Sequence, residues 1–486
     1  MGRVTAPNPV IPVPPADLPG TLGALRAAGH QYRTVKQELR DNLLARMRSG
    51  EARFPGIVGY DDSVLPEVER ALLAGHDMVL LGERGQGKTR LIRSLGALLD
   101  EWTPVIVGSV LNEHPLHPLT PASRAQVAEA GDDLPIGWLH RSMRYGEKLA
   151  TPDTSVGDLI GDVDPIRIAQ GRTLGDPETI HFGLVPRTNR GIFAVNELPD
   201  LAERIQVALL NVLEERDIQV RGYQLRLPLD LLLVASANPD DYTNRGRIIT
   251  PLKDRFGAEI RTHYPVDLEL ELALIRQEAD LVAAVPEHVL EVLARFARAV
   301  RESPSVDPRS GVSARFAIAA AETVAGAALR RAGLLAATGS PQDRPEAAVA
   351  RVGDAVSVTS TLRGKVEFES GEEGREIEIL AHLLRTATAE TFRAHLAGLD
   401  LSGFTALVED GAAIETGELV SATELLRQVG TVPGLAKVLD RLGLGDGPTP
   451  EEAAAAVEFV LEGLHLTRRL GKDVTDSGRT VYGGRS

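Results

Sequence analysis

The chain has 486 residues, with 53 Lys or Arg against 68 Asp or Glu, so its formal net charge is −15. This length predicts about three domains, and the acidic balance argues against a protein that binds nucleic acid through a broadly basic surface, without excluding a local basic pore. The sequence contains no cysteine, which excludes disulfides, zinc–thiolate sites, iron–sulfur clusters and thiol catalysis.

The N-terminal region predicts an extended arm followed by helix. Residues 1–20 hold six prolines, which remove backbone donors and disfavour helix in the residue before each of them. Apolar residues at helical spacing then predict a helical segment over residues 21–53. Because no signal peptide is evident and no apolar run reaches about 18 residues, we expect a cytoplasmic protein without a membrane span.

Residues 54–265 alternate short apolar runs with polar helical stretches. The apolar runs predict strands at 77–81, 105–107, 191–195 and 231–235. Continuous apolar runs of this length are typical of strands that are buried on both faces of a parallel sheet. Their alternation with helices predicts a doubly wound α/β domain.

The remainder of the chain is predicted to be mainly helical. Residues 266–336 have the pattern of a small all-α domain, and the polar residues 337–346 predict a linker. Residues 346–471 mix polar turns with helices, and the last residues, 472–486, are predicted to form a mobile tail.

The strongest motif is GERGQGKT, which fits G-x-x-x-x-G-K-[ST] between a predicted strand and a predicted helix. Its glycines let backbone N–H groups surround phosphates, and the helix N-terminus adds partial positive charge. Lys88 is expected to reach the β- and γ-phosphates, and the Thr89 hydroxyl is expected to bind Mg²⁺. The predicted nucleotide-binding residues are Gly82, Glu83, Arg84, Gly85, Gln86, Gly87, Lys88 and Thr89.

Two later strands end in polar residues. GIFAVNELPDL ends its apolar run at Asn196 and Glu197, where phosphate-loop ATPases place an acidic pair that holds magnesium and activates water. Glu197 is therefore predicted to be the general base. Asn196 takes the magnesium-side position, where it offers an oxygen without a negative charge. In LLLVASANP, Asn238 is predicted to sense the γ-phosphate or to orient the attacking water.

Two arginines complete the set of candidates. Arg255 lies in PLKDRFG, and an arginine supplied by a neighbouring subunit is a frequent device in phosphoryl transfer. Arg315, in GVSARF, begins a helix of the predicted helical domain and is placed to reach a nucleotide from there. Taken alone, each arginine is more simply a surface or ion-pair residue.

In this order, the motifs GERGQGKT, GIFAVNELPDL, VASANP, LKDRF and VSARF resemble an AAA+ ATPase. The stretch before GIFAVNELPDL, with its GLVPRTNRG run, looks like the small ATPase subunit of magnesium chelatase (ChlI/BchI) and its MoxR relatives. Residues 205–228 resemble the helix and β-hairpin of that clade. The resemblance covers about residues 54–335. It implies an α/β phosphate-loop NTPase core, a parallel sheet with flanking helices, followed by an all-α lid and a mostly helical C-terminal region.

The resemblance also implies roles for individual residues. Lys88 and Thr89 would bind ATP phosphate and Mg²⁺, and Glu197 would be the catalytic base. Asn238 would be sensor 1, Arg255 the arginine finger that acts in trans, and Arg315 sensor 2. The family usually has Asp where this chain has Asn196, so the metal ligands become Thr89, Asn196 and Glu197. The change implies slower turnover, while nucleotide binding is expected to persist.

Members of this clade usually form rings, often hexamers, and commonly work with a separate protein that carries a von Willebrand factor A domain. The resemblance therefore implies a ring ATPase that remodels or activates a client protein. Three alternatives stay open: a magnesium-chelatase subunit that inserts Mg²⁺ into protoporphyrin, a nucleotide-gated scaffold with little turnover, and a DNA-acting motor or transcription activator. The net charge and the lack of a GAFTGA-like loop argue against the last, so nucleic acid is not an expected partner.

A second candidate metal site lies in NEHPLHP, with Glu113, His114 and His117. Two histidines three positions apart are suitable metal ligands. The adjacent prolines and the lack of a further certain ligand favour an ordinary loop.

Overall fold

The computed structural model describes residues 12–163, 180–214, 217–220, 223–239, 247–307, 311–338, 346–409, 413–445, 447–475 and 479–483. The chain divides into two compact units, Met1–His263 and Tyr264–Ser486. Among the described residues, no helix is both long enough and apolar enough to cross a bilayer.

The first unit is built on a five-stranded parallel sheet. Its strands, in spatial order, are β11 (Ala258–Arg261), β1 (Met78–Leu81), β10 (Leu231–Ala237), β7 (Gly191–Asn196) and β4 (Tyr145–Leu149). The three central strands are buried along their whole length, as their continuous apolar sequences predict. The α/β class predicted from the sequence is therefore confirmed.

The first unit also contains three two-stranded antiparallel pairs. They are β2 (Trp102–Ile106) with β3 (Ile136–His140), β5 (Gly161–Val163) with β6 (Ile180–Phe182), and β8 (Asp217–Val220) with β9 (Tyr223–Arg226). The last pair is the hairpin expected from the family resemblance. The strand predicted at 105–107 belongs to β2, so its assignment to the parallel sheet was wrong. Its residues are partly buried and partly half-buried, unlike the fully buried central strands of the parallel sheet.

Helices cover both faces of the parallel sheet. On one face Met78 and Leu80 pack with residues of the helices that precede β1, and on the other face Val79 and Leu81 pack with Leu209 and its neighbours. Successive side chains of a strand point to opposite faces, so both faces are apolar. The helices of this unit are α1 (Leu22–Ala27), α2 (Val35–Ser49), α3 (Val64–Ala74), α4 (Lys88–Ser94), α5 (Pro121–Ala130), α6 (Val156–Leu159), α7 (Leu184–Arg187), α8 (Glu203–Glu214) and α9 (Thr250–Arg255).

The predicted N-terminal helical segment is part of the first unit, because α2 is tied to the amino ends of the sheet strands. Its Glu38 carboxylate accepts two 2.7 Å hydrogen bonds from the guanidinium of Arg144, the residue before β4. The Val35 amide donates to Asp230, the residue before β10 (2.8 Å), and Lys36 pairs with Asp77, the residue before β1 (2.9 Å). We call these contacts the amino-edge network.

The second unit is mostly helical and has one hydrophobic core. Its helices are α10 (Leu268–Glu278), α11 (Glu287–Glu302), α12 (Ala314–Thr338), α13 (Ser357–Thr361), α14 (Glu376–Leu396), α15 (Ser402–Glu409), α16 (Ala422–Val429), α17 (Leu435–Arg441) and α18 (Pro450–Leu466). Phe296 and Phe316, from the predicted lid, belong to the same cluster as Phe392 and Phe459, from the predicted C-terminal region. The lid and the C-terminal region therefore form a single body. Of the predicted linker, residues 339–345 lie outside the described residues.

The predicted mobile tail differs from the structure where residues are described. Gly471–Val474 (β13) pairs antiparallel with Thr480–Gly483 (β14), and β14 also pairs with β12 (Ile414–Thr416). Tyr482 is buried, and its hydroxyl donates to Glu462 at 2.5 Å. This buried aromatic side chain anchors a segment whose strands are too short to give a clear sequence pattern.

The amino-edge network yields a stability prediction. Arg144→Leu leaves the Glu38 carboxylate buried without its partner, so we expect the free energy of unfolding of the first unit to fall by about 3–5 kcal/mol. Tryptophan fluorescence during denaturant unfolding reports this unit, because both tryptophans, Trp102 and Trp138, lie in it. The control is Arg33→Leu, since the ion pairs of Arg33 with Asp41 and Asp100 are each more than a third exposed, and exposed pairs contribute about 0–1 kcal/mol. Equal losses in the two variants would contradict the prediction.

Candidate functional site

The phosphate loop connects β1 to α4 at the carboxyl edge of the sheet. Gly85 and Gly87 have φ of 76° and 78°, in the left-handed region that glycine enters without steric cost. A Cβ atom at Gly82 would collide with the side chains of Gln86 and Thr262. The loop therefore needs glycine at these positions to keep its backbone close around a small space.

Lys88 begins α4, and its side chain is only 6% exposed. Its ammonium group donates to the carbonyl oxygens of Gly82 and of Glu83 (2.7 Å). It also donates to the side-chain oxygen of Asn238 at 3.1 Å. The structure thus joins two predicted site residues that are 150 positions apart in sequence. They meet because β1 and β10 are adjacent and parallel, so both chains leave the sheet at the same edge.

A second group of polar side chains lies beside the loop. The Thr89 hydroxyl and the Ser236 hydroxyl both donate to Oδ1 of Asn196, at 3.3 and 3.2 Å. The Nδ2 group of Asn196 donates to Oε1 of Glu147 at 2.7 Å. Thr89 and Asn196 were both predicted to face magnesium, and the structure places them within hydrogen-bond distance of each other.

Glu147 lies on the edge strand β4 and is held from two sides. The Arg93 guanidinium makes hydrogen bonds of 2.7 and 2.8 Å to its two oxygens, and the Tyr145 hydroxyl donates to it at 3.0 Å. Burial by itself raises the pKa of Glu147, but the hydrogen bonds from Arg93 and Tyr145 outweigh burial and lower the pKa. The carboxylate therefore stays ionised at neutral pH.

Glu197 follows the last residue of β7 and has a strained backbone. Its φ and ψ are 57° and 47°, a left-handed conformation that is uncommon for residues other than glycine. The side chain is half-buried, and the backbone N–H donates to the Ser236 hydroxyl at 3.3 Å. Strain of this kind is concentrated at functional sites, which agrees with the position predicted for the general base.

Tyr60 supports the loop from below. Its hydroxyl lies within hydrogen-bond distance of the carbonyl oxygens of Gln86 and His263 (3.0 Å for the latter) and has a single hydrogen to share between them. Burial raises the pKa of Tyr60 to about 12, so the hydroxyl remains a donor. A cavity of about 360 Å³ opens beside the loop, lined in part by Gly82, Gln86 and Thr262.

The two predicted arginines lie in different units. Arg255 is exposed at the end of α9 in the first unit, and Arg315 is exposed near the start of α12 in the second unit. Exposure at Arg255 is compatible with a role toward a neighbouring molecule. The predicted role of Arg315 stays a prediction.

The NEHPLHP segment is structural. Glu113 accepts hydrogen bonds from the backbone N–H groups of Leu119 and Thr120 and from the Ser123 hydroxyl, at 2.5 to 2.6 Å. His114 stacks on His30, and burial, followed by the charge of Arg190, lowers the pKa of His114 to about 2. In the part of the chain that the structure describes, no group of three or more His, Cys, Asp or Glu residues is arranged to hold a metal.

The Asn-Arg-Gly run of the family resemblance is also structural here. Asn189 donates to the Leu111 carbonyl at 2.7 Å, and the Arg190 guanidinium donates to the Pro104 carbonyl at 2.8 Å. A Cβ atom at Gly191 would collide with the Arg144 carbonyl. These residues join β7 to β2 and to the loop after it, away from the phosphate loop.

Sequence reasoning missed Glu147, Arg93 and Ser236. Glu147 lies in a strand without an apolar run, and Arg93 resembles any exposed residue of a polar helix face. Ser236 is the exception, because it lies inside the quoted VASANP motif two positions before Asn238. Only the pairing of β4 with β7 shows that Glu147 belongs to the site.

The residues of the site fit ATP and Mg²⁺. The glycine loop borders a cavity of about 360 Å³, and Lys88 supplies a buried ammonium group that contacts the loop carbonyl oxygens. The Thr89 hydroxyl and the Asn196 amide oxygen are hard oxygen donors, of the type that Mg²⁺ prefers.

The sequence of this chain is similar to those of several known proteins. Residues 173–252 match the family model described as the sigma-54 interaction domain. The chain is 28% identical over 233 residues to magnesium-chelatase subunit ChlI of Nostoc sp., and 29% identical over 260 residues to the magnesium-chelatase 38 kDa subunit of Rhodobacter capsulatus. These matches cover 47% and 49% of this chain and 58% and 63% of the relatives. The chain thus spans less than two thirds of either relative.

Among solved structures, a model of the BchI–BchD complex of magnesium chelatase, based on a cryo-EM reconstruction, has a TM-score of 0.35 at 22% identity. That match covers 67% of this chain and 98% of the other. A RuvB Holliday junction branch migration motor from Thermotoga maritima has a TM-score of 0.31 at 13% identity, covering 92% of this chain and 90% of the other. Values at this level carry no argument about function.

A parallel sheet with helices on both faces and a glycine-rich loop between its strand β1 and the next helix defines a phosphate-loop NTPase. Within the phosphate-loop NTPases, the curated proteins that match this chain include subunits of magnesium chelatase. Over about half of its length, the chain is similar to the I subunits of magnesium chelatase.

Proposed function

We propose that this chain binds ATP with Mg²⁺ at the carboxyl edge of the sheet in its first unit and hydrolyses it to ADP and phosphate. One observation carries the proposal: Lys88 of the phosphate loop and Asn238, at the end of the adjacent strand, meet at 3.1 Å, next to the Thr89–Asn196 pair. A cation, a polar sensor and two oxygen donors for a metal thus converge where the loop opens.

Each residue has a distinct role in the proposed reaction. Loop N–H groups and Lys88 hold the phosphates, and Thr89 with Asn196 hold Mg²⁺, which when bound neutralises charge on the phosphate oxygens. Glu197 accepts the proton of the attacking water, and Asn238 orients that water or contacts the γ-phosphate. The strained backbone at Glu197 is consistent with a carboxylate that the fold holds in place.

We infer slow turnover from Asn196. An amide oxygen attracts a divalent cation less strongly than a carboxylate does, because it carries only a partial charge. A weak ATPase and a nucleotide-gated scaffold with little hydrolysis are two ends of one range, and the steady-state rate of the assembled protein separates them.

We infer that the active form is a ring, with Arg255 acting on the nucleotide of the neighbouring subunit and Arg315 acting from the lid. The exposure of Arg255 on the first unit supports this arrangement. A hexamer with a separate von Willebrand factor A domain partner, acting on a client protein, follows from the sequence resemblance. Insertion of Mg²⁺ into protoporphyrin is the alternative, and the curated relatives favour it.

The base assignment predicts the behaviour of Glu197→Gln. We expect the affinity for a fluorescent ATP analogue to stay within about twofold, while steady-state hydrolysis falls by at least about 100-fold, because the proton acceptor is lost. Glu101→Gln makes the same chemical change at an exposed position of the first unit and should leave both values unchanged. Undiminished hydrolysis in Glu197→Gln would refute the role of this residue.

The arginine finger predicts complementation between variants. Lys88→Ala removes phosphate binding and Arg255→Ala removes the finger, so each variant alone should be inactive. After the two are mixed in equal amounts, about a quarter of the interfaces combine an intact loop with an intact finger, and hydrolysis should recover to about that fraction. Arg255→Ala that keeps full activity by itself, or a mixture that recovers none, would contradict action in trans.

The chelatase alternative predicts exchange of subunits. If it holds, this chain should replace the I subunit in a reconstituted magnesium-chelatase assay and support ATP-dependent formation of magnesium protoporphyrin. The Glu197→Gln variant is the negative control. Active ATP hydrolysis by this chain without metal insertion would favour the remodelling function instead.

A further inference from the structure

We propose that Glu147 is a positioning residue for magnesium: it fixes the amide of Asn196 so that the amide oxygen faces Thr89. This inference rests on the proposed binding of ATP with Mg²⁺. It concerns a residue on the edge strand β4 that no sequence motif contains.

The orientation of the Asn196 amide follows from hydrogen-bond chemistry. An ionised carboxylate only accepts hydrogen bonds, so the amide atom 2.7 Å from Oε1 of Glu147 must be the nitrogen. The oxygen then points to the other side, toward the hydroxyls of Thr89 (3.3 Å) and Ser236 (3.2 Å). This assignment depends on the chemistry of Glu147, since the shape of an amide alone does not distinguish its two ends.

The Glu147 carboxylate is itself fixed by the helix that carries the phosphate loop. Thr89 and Arg93 are four positions apart in α4, so their side chains lie on the same face. Thr89 contacts Asn196, and Arg93 makes two hydrogen bonds to Glu147. Leu149 of β4 pairs with Asn196 of β7, which places Glu147 beside the end of β7. Helix α4 and strands β4 and β7 thus hold the Glu147 carboxylate next to the Asn196 amide.

The Glu147 carboxylate also affects the electrostatics of the Asn196 amide. A carboxylate behind a metal ligand orients that ligand and raises its basicity, as in carboxylate–histidine–zinc arrangements. Glu147 acts in this way on the Asn196 oxygen. An Asp at position 196 would place two carboxylates about as close as the present 2.7 Å contact, and like charges at that distance repel strongly. Asn196 and Glu147 therefore form a matched pair of hydrogen-bond donor and acceptor.

The test measures magnesium binding directly in the full-length chain. The affinity for a fluorescent ATP analogue is titrated against Mg²⁺, and the concentration that gives half of the magnesium-dependent gain is compared between variants. Glu147→Gln should raise this concentration roughly 10-fold, because Gln can both donate and accept and no longer fixes the amide. Asn196→Asp alone should also raise it. The double variant Asn196→Asp with Glu147→Gln should return to within about threefold of the wild type.

Two controls separate this effect from misfolding. The affinity for the same analogue in EDTA reports the intact loop without the metal and should be equal in all variants. Glu69→Gln is the matched substitution, because Glu69 also pairs with an arginine, Arg53, but lies on α3. It should leave the magnesium dependence unchanged.

The outcomes distinguish this inference from the proposed function. A wild-type chain that binds no nucleotide would refute the proposed function and this inference with it. A wild-type chain that binds the analogue with Mg²⁺, together with an unchanged magnesium dependence in Glu147→Gln, would refute this inference alone. The same holds if Asn196→Asp strengthens magnesium binding while Glu147 is intact.

Discussion

The central constraint in the first unit is that its five sheet strands are parallel, so that all of their carboxyl ends lie at one edge. The order β11-β1-β10-β7-β4 then decides which chain segments become neighbours. The loop after β1 meets the polar end of β10, and the end of β7 lies between β10 and the edge strand β4. Residues from four separate segments form one site because the sheet, and not their local sequence, brings them together.

The amino ends and the carboxyl ends of the sheet strands have different surroundings. At the amino edge, the residues before β4, β10 and β1 are Arg144, Asp230 and Asp77, and all three are bound by residues of helix α2. At the carboxyl edge, the polar residues leave space around the phosphate loop. Among the described residues, the most buried ion pair is Arg144 with Glu38, and it joins a helix to the sheet. Burial of a charged side chain therefore does not by itself identify the active site of this molecule.

The predicted lid is part of the larger core of the second unit. Helices α11 and α12 of the predicted lid and helices α14 and α18 of the C-terminal region share one hydrophobic core, and the His288 ring of α11 lies against the Phe459 ring of α18. Packed cores resist internal deformation. Arg315 therefore belongs to a packed body, Tyr264–Ser486, and is not carried by a separate small lid.

The phosphate loop, the buried strands β1, β7 and β10, and the helical character of the second half can all be predicted from the amino-acid sequence. These features follow local rules: continuous apolar runs for fully buried strands, and glycines where the loop backbone requires them. The positions of β2, β4 and β11 depend on tertiary contacts. A strand that is buried on one face has no continuous apolar run, and pairing partners lie far apart in sequence. Glu147 and Asn196, 49 positions apart, show the limit most clearly, because their contact exists only through the register of two parallel strands.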